Sequence, residues 1–144
     1  MAEQVFANFI PSLAVGQLNE NVVKHEFRYN GIPVVDPPPG KQPFDFFLPD
    51  GRACEAKIDL RSQATGKIAL EWPTLQRGAG IYILTTTVAR VFTSLEVQAM
   101  YNRGKVPAGG FGQQGYDGRY TSLTEYYNSG MRLRDFIYQL KQQQ

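Results

Sequence analysis

The chain has 144 residues, a formal net charge of +2, 42% hydrophobic residues and 19% charged residues, which is ordinary for one soluble globular domain spanning residues 1–144. Its single cysteine, Cys54, excludes an internal disulfide, and one cysteine with one histidine cannot supply the usual zinc ligands. The first residues do not have the pattern of a signal peptide, and no apolar run is long enough to cross a bilayer. We therefore expect no membrane association and a cytoplasmic location.

The charges are unevenly distributed along the chain. Residues 1–60 contain five Lys/Arg and eight Asp/Glu, whereas residues 61–120 contain seven Lys/Arg and three Asp/Glu. A carboxylate-rich part followed by a basic part is compatible with a metal site beside a surface that binds phosphates. A randomly uneven distribution explains the same counts.

The chain begins with apolar residues and then a predicted helix. Residues 1–18 predict a short helix or an arm that packs on a partner subunit. Asn19 is a suitable N-cap for a helix that begins at Glu20. The apolar residues that follow at helical spacing place Glu20 at the edge of the buried face, with Glu26 as the competing acidic residue.

Two strands joined by a tight turn form the central pattern of the chain. Apolar and polar residues alternate over residues 44–48 and again over residues 54–59, with Pro-Asp-Gly between them. If the turn is a three-residue loop with Gly51 in the left-handed conformation, Asp45 lies opposite Glu55 on the same face. A two-residue loop would place Asp45 on the other face.

Two adjacent carboxylates repel each other unless a cation compensates their charge. Mg²⁺ prefers one or two carboxylates together with water and phosphate oxygens. Lys57 lies two residues after Glu55 and therefore on the same face of the strand, where an ammonium group can orient or activate a metal-bound water. The pattern predicts a site for Mg²⁺ or Mn²⁺ that acts on a phosphodiester. The alternative is a solvated strand face with an ordinary ion pair.

A third strand is predicted at residues 67–72, because apolar and polar residues alternate there. Lys67 and Glu71 lie on its polar side. If this strand is adjacent to the second one, Glu71 reaches the predicted metal site.

The next segment is short, basic and rich in glycine. Arg77 and the amides around Gly78 are suited to a close approach to a phosphate, and a simple turn is the alternative. Residues 81–84 form an apolar run typical of a buried strand. Thr85, which follows, is a helix cap or a phosphate contact.

The spacing of the candidate site residues also carries a resemblance. Asp45, nine residues and then Glu55-Ala56-Lys57 resembles the signature of the PD-(D/E)XK nuclease superfamily. The segment 65–71, together with Arg77-Gly78-Ala79-Gly80-Ile81 and Thr85-Thr86, is similar to a run in small phage-type members. One departure is that Phe44, rather than proline, precedes the aspartate.

The resemblance implies a restriction-endonuclease-like α/β fold, with a mixed central sheet of about four to five strands built from residues 44–84 and flanked by helices. It implies a phage-encoded, Mg²⁺- or Mn²⁺-dependent DNA endonuclease located in the host cytoplasm. In that family pattern Asp45, Glu55 and the Ala56 carbonyl bind the metal, and Lys57 positions or activates the attacking water. Glu20 and Glu71 are secondary site candidates, and the candidate DNA contacts are Lys67, Arg77, Gly78, Thr85 and Arg119.

The C-terminal part predicts helices around a long glycine- and tyrosine-rich loop. Ser94 is expected to cap a helix over residues 95–103, Ser122 is expected to begin a capping box, and Ser129 is expected to begin the last helix. The loop at residues 106–120 either stacks its aromatic residues on unpaired bases near Arg119 or, as we favour, seals a dimer interface.

The length of the chain leaves room for one active site, so cutting both DNA strands favours a homodimer. Two alternatives to a general endonuclease remain open. One is a Holliday-junction-resolving endonuclease. The other is a non-catalytic, nuclease-like DNA-binding or virion-component protein.

Overall fold

The structure is a computed structural model that describes residues 11–40, 44–104 and 118–144. The side chains of residues 11–13 and 71–73 also lie outside the description. Most of the predicted arm and most of the glycine- and tyrosine-rich loop therefore fall outside the described residues. None of the helices in the described ranges is long and apolar enough to span a membrane.

The described elements are six helices and seven short strands. In chain order they are α1 (Pro11–Tyr29), β1 (Phe46–Phe47), β2 (Ala53–Ile58), α2 (Ser62–Thr65), β3 (Lys67–Glu71), α3 (Trp72–Gln76), β4 (Ile81–Thr85), β5 (Ala89–Thr93), α4 (Ser94–Arg103), β6 (Gly118–Ser122), α5 (Leu123–Asn128), β7 (Met131–Arg132) and α6 (Leu133–Gln142).

The main sheet has five strands in the order β1-β2-β4-β5-β7. Strands β2 and β4 are parallel, and the other neighbouring pairs are antiparallel. The predicted mixed α/β fold is thus confirmed. The expected composition of the sheet is wrong in one respect, because β3 pairs with β6 in a separate two-stranded sheet and β5 and β7 complete the main one.

Helices cover both faces of the main sheet. Alternate residues of the apolar strand β4 point to opposite faces, so apolar side chains must be buried on both of them. Ile81 and Ile83 contribute to a core shared with Phe27 of α1 and Phe136 of α6. The opposite face holds a second core, whose buried members include Tyr82, Leu84, Phe92, Val97, Met100 and Tyr126. The sheet is therefore held between two apolar layers.

The turn between β1 and β2 is the three-residue loop, which the sequence left open against a two-residue one. The Leu48 N–H donates to the Arg52 carbonyl at 2.9 Å, and Gly51 has a φ of +94°. The Asp50 carboxylate accepts from the Arg52 N–H at 3.0 Å and so closes the turn. This loop sets the register that pairs Phe46 with Cys54.

Several predicted boundaries differ from the structure. Helix α1 begins well before Asn19, which is buried in its interior. Thr93, rather than Ser94, caps α4 through a reciprocal capping box with Glu96. Ser122 caps α5 by accepting from the Glu125 N–H, as predicted, but the Glu125 carboxylate contacts Arg103, so only one half of the expected capping box is present.

Two further expectations in the C-terminal part are wrong. Residues 118–120 are not part of a loop, because they pair with β3 as the first residues of β6. The last helix begins at Leu133 rather than Ser129, since β7 intervenes to complete the sheet.

Candidate active site

The hairpin places Asp45 against the middle of β2. Regular pairing of β1 with β2 ends at Phe46, and the Asp45 N–H donates to the Cys54 carbonyl at 3.0 Å. The carboxylate Oδ2 of Asp45 accepts from the Ala56 N–H at 2.8 Å. The Asp45 side chain thus accepts from a backbone N–H of β2 beyond the last residue pair of the β1–β2 ladder. This hydrogen bond holds Asp45 beside residues 55–57.

Glu55 lies in the same strand and is 1% exposed. Its Oε1 faces Nη1 of Arg77 at 3.4 Å, a long contact for an ion pair with a buried carboxylate. Burial, and next the charge of Asp45, raise the pKa of Glu55 to about 7, while Arg77 and Lys57 oppose that shift. A buried carboxylate with so little compensation is expected where another cation binds.

The pKa of Asp45 is also raised. Burial is the largest cause, and the charge and hydrogen bond of Glu20 act in the same direction. The Ala56 N–H and the charge of Lys57 oppose it. Asp45 is therefore close to Glu20 and to Lys57, and its charge also acts on Glu55. These residues come from α1, the residue that precedes β1, and β2.

Glu20 belongs to a chain of charged side chains that links α1 to Asp36. Lys24 Nζ contacts Glu20 Oε2 at 3.2 Å and Asp36 Oδ1 at 2.9 Å, and Arg28 contacts Asp36 at 3.4 Å. Sequence reasoning passed over Lys24, although the spacing of four residues between Glu20 and Lys24 is a helical ion-pair signal. The competing residue Glu26 is exposed, which favours Glu20.

Lys57 is exposed and shares the strand face of Glu55, because the two residues are separated by one position. It lies opposite Leu84 of the parallel strand β4. It also lines a cavity of about 100 Å³ whose walls include Asp59, Ala69, Thr74 and Tyr82. The ammonium group is therefore accessible from solvent while remaining beside the two carboxylates.

The donor set fits a hard divalent cation. The N–H and C=O of one strand residue point to the same side, so the Ala56 carbonyl faces the side on which its N–H meets Asp45. Two carboxylates and one carbonyl oxygen match the oxygen ligands that Mg²⁺ or Mn²⁺ prefers. The positive charge of such an ion would oppose the burial that raises the pKa of both carboxylates. In the described part of the chain no group of three or more His, Cys, Asp or Glu side chains is arranged for a metal, so water or substrate oxygens would complete the set.

Asp59, the third acidic residue of this region, has a structural role. Its Oδ1 accepts from the Arg61 and Ser62 N–H groups at 3.0 Å each, and its Oδ2 accepts from the Ala69 N–H at 3.1 Å. It thereby joins the end of β2 to α2 and β3. Because both of its carboxylate oxygens already accept from backbone N–H groups, we do not include Asp59 among the candidate metal ligands.

Glu71 was expected to reach the site from a strand adjacent to β2, but its strand, β3, is not a neighbour of β2. The neighbours of β2 are β1 and β4, and the backbone of Glu71 pairs with Gly118 of β6. The side chain of Glu71 lies outside the described residues.

The candidate DNA contacts fall into two groups. Lys67 is exposed at the start of β3, with Nζ 6.0 Å from the centre of the Tyr120 ring, and Arg77 is partly exposed beside Glu55. By contrast, the Gly78 N–H donates to the Leu75 carbonyl at the end of α3. The Arg119 guanidinium donates to the carbonyls of residues 101 and 102 at the end of α4.

Thr85 ends β4 opposite Ile58 of β2. Its hydroxyl oxygen is buried and has no hydrogen-bond partner among the described residues.

Comparison with solved structures finds a protein of similar architecture. The chain superimposes on the 1.6 Å structure of Archaeoglobus fulgidus Hjc, a Holliday junction resolvase from an archaeal hyperthermophile, with a TM-score of 0.56 and 17% sequence identity. The alignment covers 85% of this chain and 94% of that one. The chain has a restriction-endonuclease-like fold.

In this restriction-endonuclease-like fold, the predicted acidic hairpin lies within the five-stranded sheet. At 17% identity the similarity to the archaeal resolvase concerns the fold. No family model matches the sequence, and no curated protein matches it either.

Proposed function

We propose that this protein is a divalent-metal-dependent DNA endonuclease. The observation that carries the proposal is the 2.8 Å hydrogen bond from the Ala56 N–H to Asp45, which brings the aspartate to the Glu55-Ala56-Lys57 segment. Asp45, Glu55 and the Ala56 carbonyl would hold Mg²⁺ or Mn²⁺. When bound, such an ion neutralises charge on a phosphodiester and lowers the pKa of a coordinated water.

The protein's own residues contribute orientation and charge. The Ala56 N–H fixes one carboxylate oxygen of Asp45, and Glu20 and Lys24 lie behind it on α1. Lys57, exposed beside the carboxylates, would orient the attacking water or take up its proton. Arg77 would move from its long contact with Glu55 to a substrate phosphate, because a cation at the carboxylates replaces its compensating charge.

Lys67 and Arg77 are the residues that we retain as proposed DNA contacts, because both are at least partly exposed. We leave out Gly78 and Arg119, since the donor groups described above already bind helix carbonyls. Thr85 stays a prediction from the sequence, as does a phage origin.

Junction resolution is the second candidate function. It is favoured by the neighbour named as a Holliday junction resolvase, 94% of whose chain is covered by the alignment. Cutting two strands requires two copies of the site, so this activity would use a homodimer. An exposed stripe on α1 (Leu18, Val22, His25 and Tyr29, with spacings of four, three and four residues) supports α1 as the dimer contact.

The test is a cleavage assay on supercoiled plasmid and on a synthetic four-way junction, with and without Mg²⁺ or Mn²⁺. Metal-dependent cleavage that Glu55→Ala and Lys57→Ala abolish, and that Lys141→Ala at an exposed position of α6 leaves unchanged, supports the proposal. Cleavage of the junction alone favours the resolvase activity. Cleavage that survives both site substitutions would show that the site is elsewhere, and binding without cleavage would favour the non-catalytic DNA-binding or virion-component alternative.

A further inference from the structure

Two arginines lie directly opposite each other at the far edge of the main sheet. Arg90 of β5 pairs with Arg132 of β7, so their side chains project from the same face roughly 5 Å apart at Cβ. Like charges in directly opposed positions destabilise a strand pair. The arrangement is expected where an anion compensates both charges.

A groove with a volume of about 470 Å³ opens at this pair of arginines. Arg134, at the start of α6, adds a third guanidinium to its wall, and Glu26 is the one acidic residue of the lining. Val88 and Tyr127 contribute exposed apolar surface, with exposures of 48% and 41%. The groove is thus basic, with an aromatic residue on one wall.

The three arginines differ in the hydrogen bonds that they form within the protein. Arg90 is held in place, because Nε donates to the Ser129 carbonyl at 3.2 Å and Nη2 donates to the Gly130 carbonyl at 3.1 Å. Arg132 and Arg134 are exposed and form no hydrogen bond or ion pair with any described residue. Two guanidinium groups are therefore available to an incoming anion.

The groove is aligned with the candidate active site by the register of the sheet. Lys57 pairs with Leu84, Leu84 pairs with Arg90, and Arg90 pairs with Arg132. These four residues form one row on one face, with roughly 14 Å between Lys57 and Arg132 for three strand spacings. Leu84, in the middle of the row, is buried in the second core, so Lys57 and Arg132 are the exposed ends of the row. Duplex DNA carries about one charge per 1.7 Å of axis, so DNA that reaches Lys57 carries phosphates over this distance.

We infer that the groove is a second DNA-contact surface, in which Arg132 and Arg134 bind the phosphodiester backbone away from the cleaved bond. This inference rests on the proposed function, because the occupant is the same DNA. Arg90 supports the groove by fixing the β5–β7 edge, and Tyr127 packs beside the bound strand.

The test is fluorescence anisotropy of the full chain with a labelled duplex and a labelled four-way junction, in EDTA so that no cleavage occurs. Arg132→Gln combined with Arg134→Gln should weaken binding at least about tenfold at low salt. It should also reduce the slope of log K against log salt by about 2, measured between about 50 and 200 mM salt. Arg132→Lys combined with Arg134→Lys should keep the slope.

Lys141→Gln is the matched control, because it removes one exposed positive charge from α6 outside the groove. Melting temperatures equal to that of the wild type ensure that the substituted proteins are folded. Unchanged affinity and slope in a double variant of a protein that still cleaves DNA would overturn the groove while leaving the nuclease intact. Binding that depends on these arginines in a protein that never cleaves would support the groove and refute the nuclease. A protein that neither binds nor cleaves DNA refutes both.

Discussion

The carboxylate of Asp45 and the backbone amide of Ala56 are joined by a 2.8 Å hydrogen bond, at the point where the β1–β2 ladder ends. This bond places one acidic side chain of the hairpin beside the buried Glu55 of the next strand. A backbone donor cannot be removed by side-chain substitution, so the position of Asp45 depends on the fold of β2 itself.

Replacing Glu55 with Gln should stabilise the metal-free protein at high pH. The folded pKa of Glu55, about 7, lies above its ordinary value of 4.5, so the wild type loses stability as pH rises from about 4.5 to about 7. Glutamine is neutral throughout. The melting temperature of the variant should exceed that of the wild type by about 3–6 °C near pH 8, corresponding to about 1–2 kcal/mol, and by much less near pH 5.

Scanning calorimetry in EDTA measures this difference, and Glu26→Gln on the exposed side of α1 is the control. A gain that is equal at both pH values would contradict the raised pKa of Glu55.

Replacing Lys57 with Met should lower the rate of metal-dependent cleavage by about 10²–10⁴, the range for loss of a group that handles the proton of the attacking water. Lys57 is exposed, so the melting temperature should change little. Single-turnover cleavage kinetics and DNA affinity separate the chemical step from binding. Lys141→Met is the matched control, and wild-type kinetics for Lys57→Met would remove this lysine from the mechanism.

Replacing Glu20 with Gln should move the acidic limb of the cleavage pH profile to lower pH. The charge and hydrogen bond of Glu20 raise the pKa of Asp45, so removing the charge lets Asp45 ionise at lower pH. Lys24 keeps its 2.9 Å contact with Asp36, which limits the effect on folding. The measurement is the cleavage rate of Glu20→Gln, Glu26→Gln and the wild type across the acidic pH range. Identical pH profiles for both variants and the wild type would exclude a role for Glu20 at the site.

Replacing Gly130 with Ala should destabilise the protein by about 2–4 kcal/mol. Gly130 has a φ of +70°, and a Cβ there would lie 2.5 Å from the Val91 carbonyl and 2.8 Å from the Phe92 ring. Gly16→Ala is the contrasting change, since a Cβ at this position in α1 meets no atom within 4 Å, and it should stabilise by roughly 0.5–1 kcal/mol. Urea denaturation compares the two, and a tolerated Gly130→Ala would mean that the β5–β7 edge can rearrange.

Replacing Val22 with Glu should convert the proposed homodimer into a monomer. Val22 is 51% exposed at the centre of the α1 stripe, between Leu18 and Tyr29, which are 60% and 80% exposed. A charge there would be buried without a partner in an interface. Light scattering after size exclusion measures the mass, with Leu60→Glu as a control at an exposed apolar residue outside the stripe. A wild type that is already monomeric would refute the dimer.

The hairpin could be predicted because its determinants are local. Alternating apolar residues set the faces of the two strands, and the Pro-Asp-Gly turn with Gly51 in the left-handed conformation sets the register. Period-two alternation also indicated β3, but it carries no information about the strand's neighbour. The pairing of β3 with β6 therefore had to come from contacts between residues far apart in the chain.

The sequence by itself determined the α/β class and the two strands of the hairpin, and it indicated the acidic and basic residues proposed for the site, but it left the length of the turn open. Only the tertiary structure decided the order of the strands, the approach of Glu20 and Arg77 to the carboxylates, and the alignment of Arg90 and Arg132 with Lys57. The physical reason is distance along the chain. Turn chemistry and side-chain alternation act within a few residues, whereas the packing of helices and non-adjacent strands depends on the burial of the whole core.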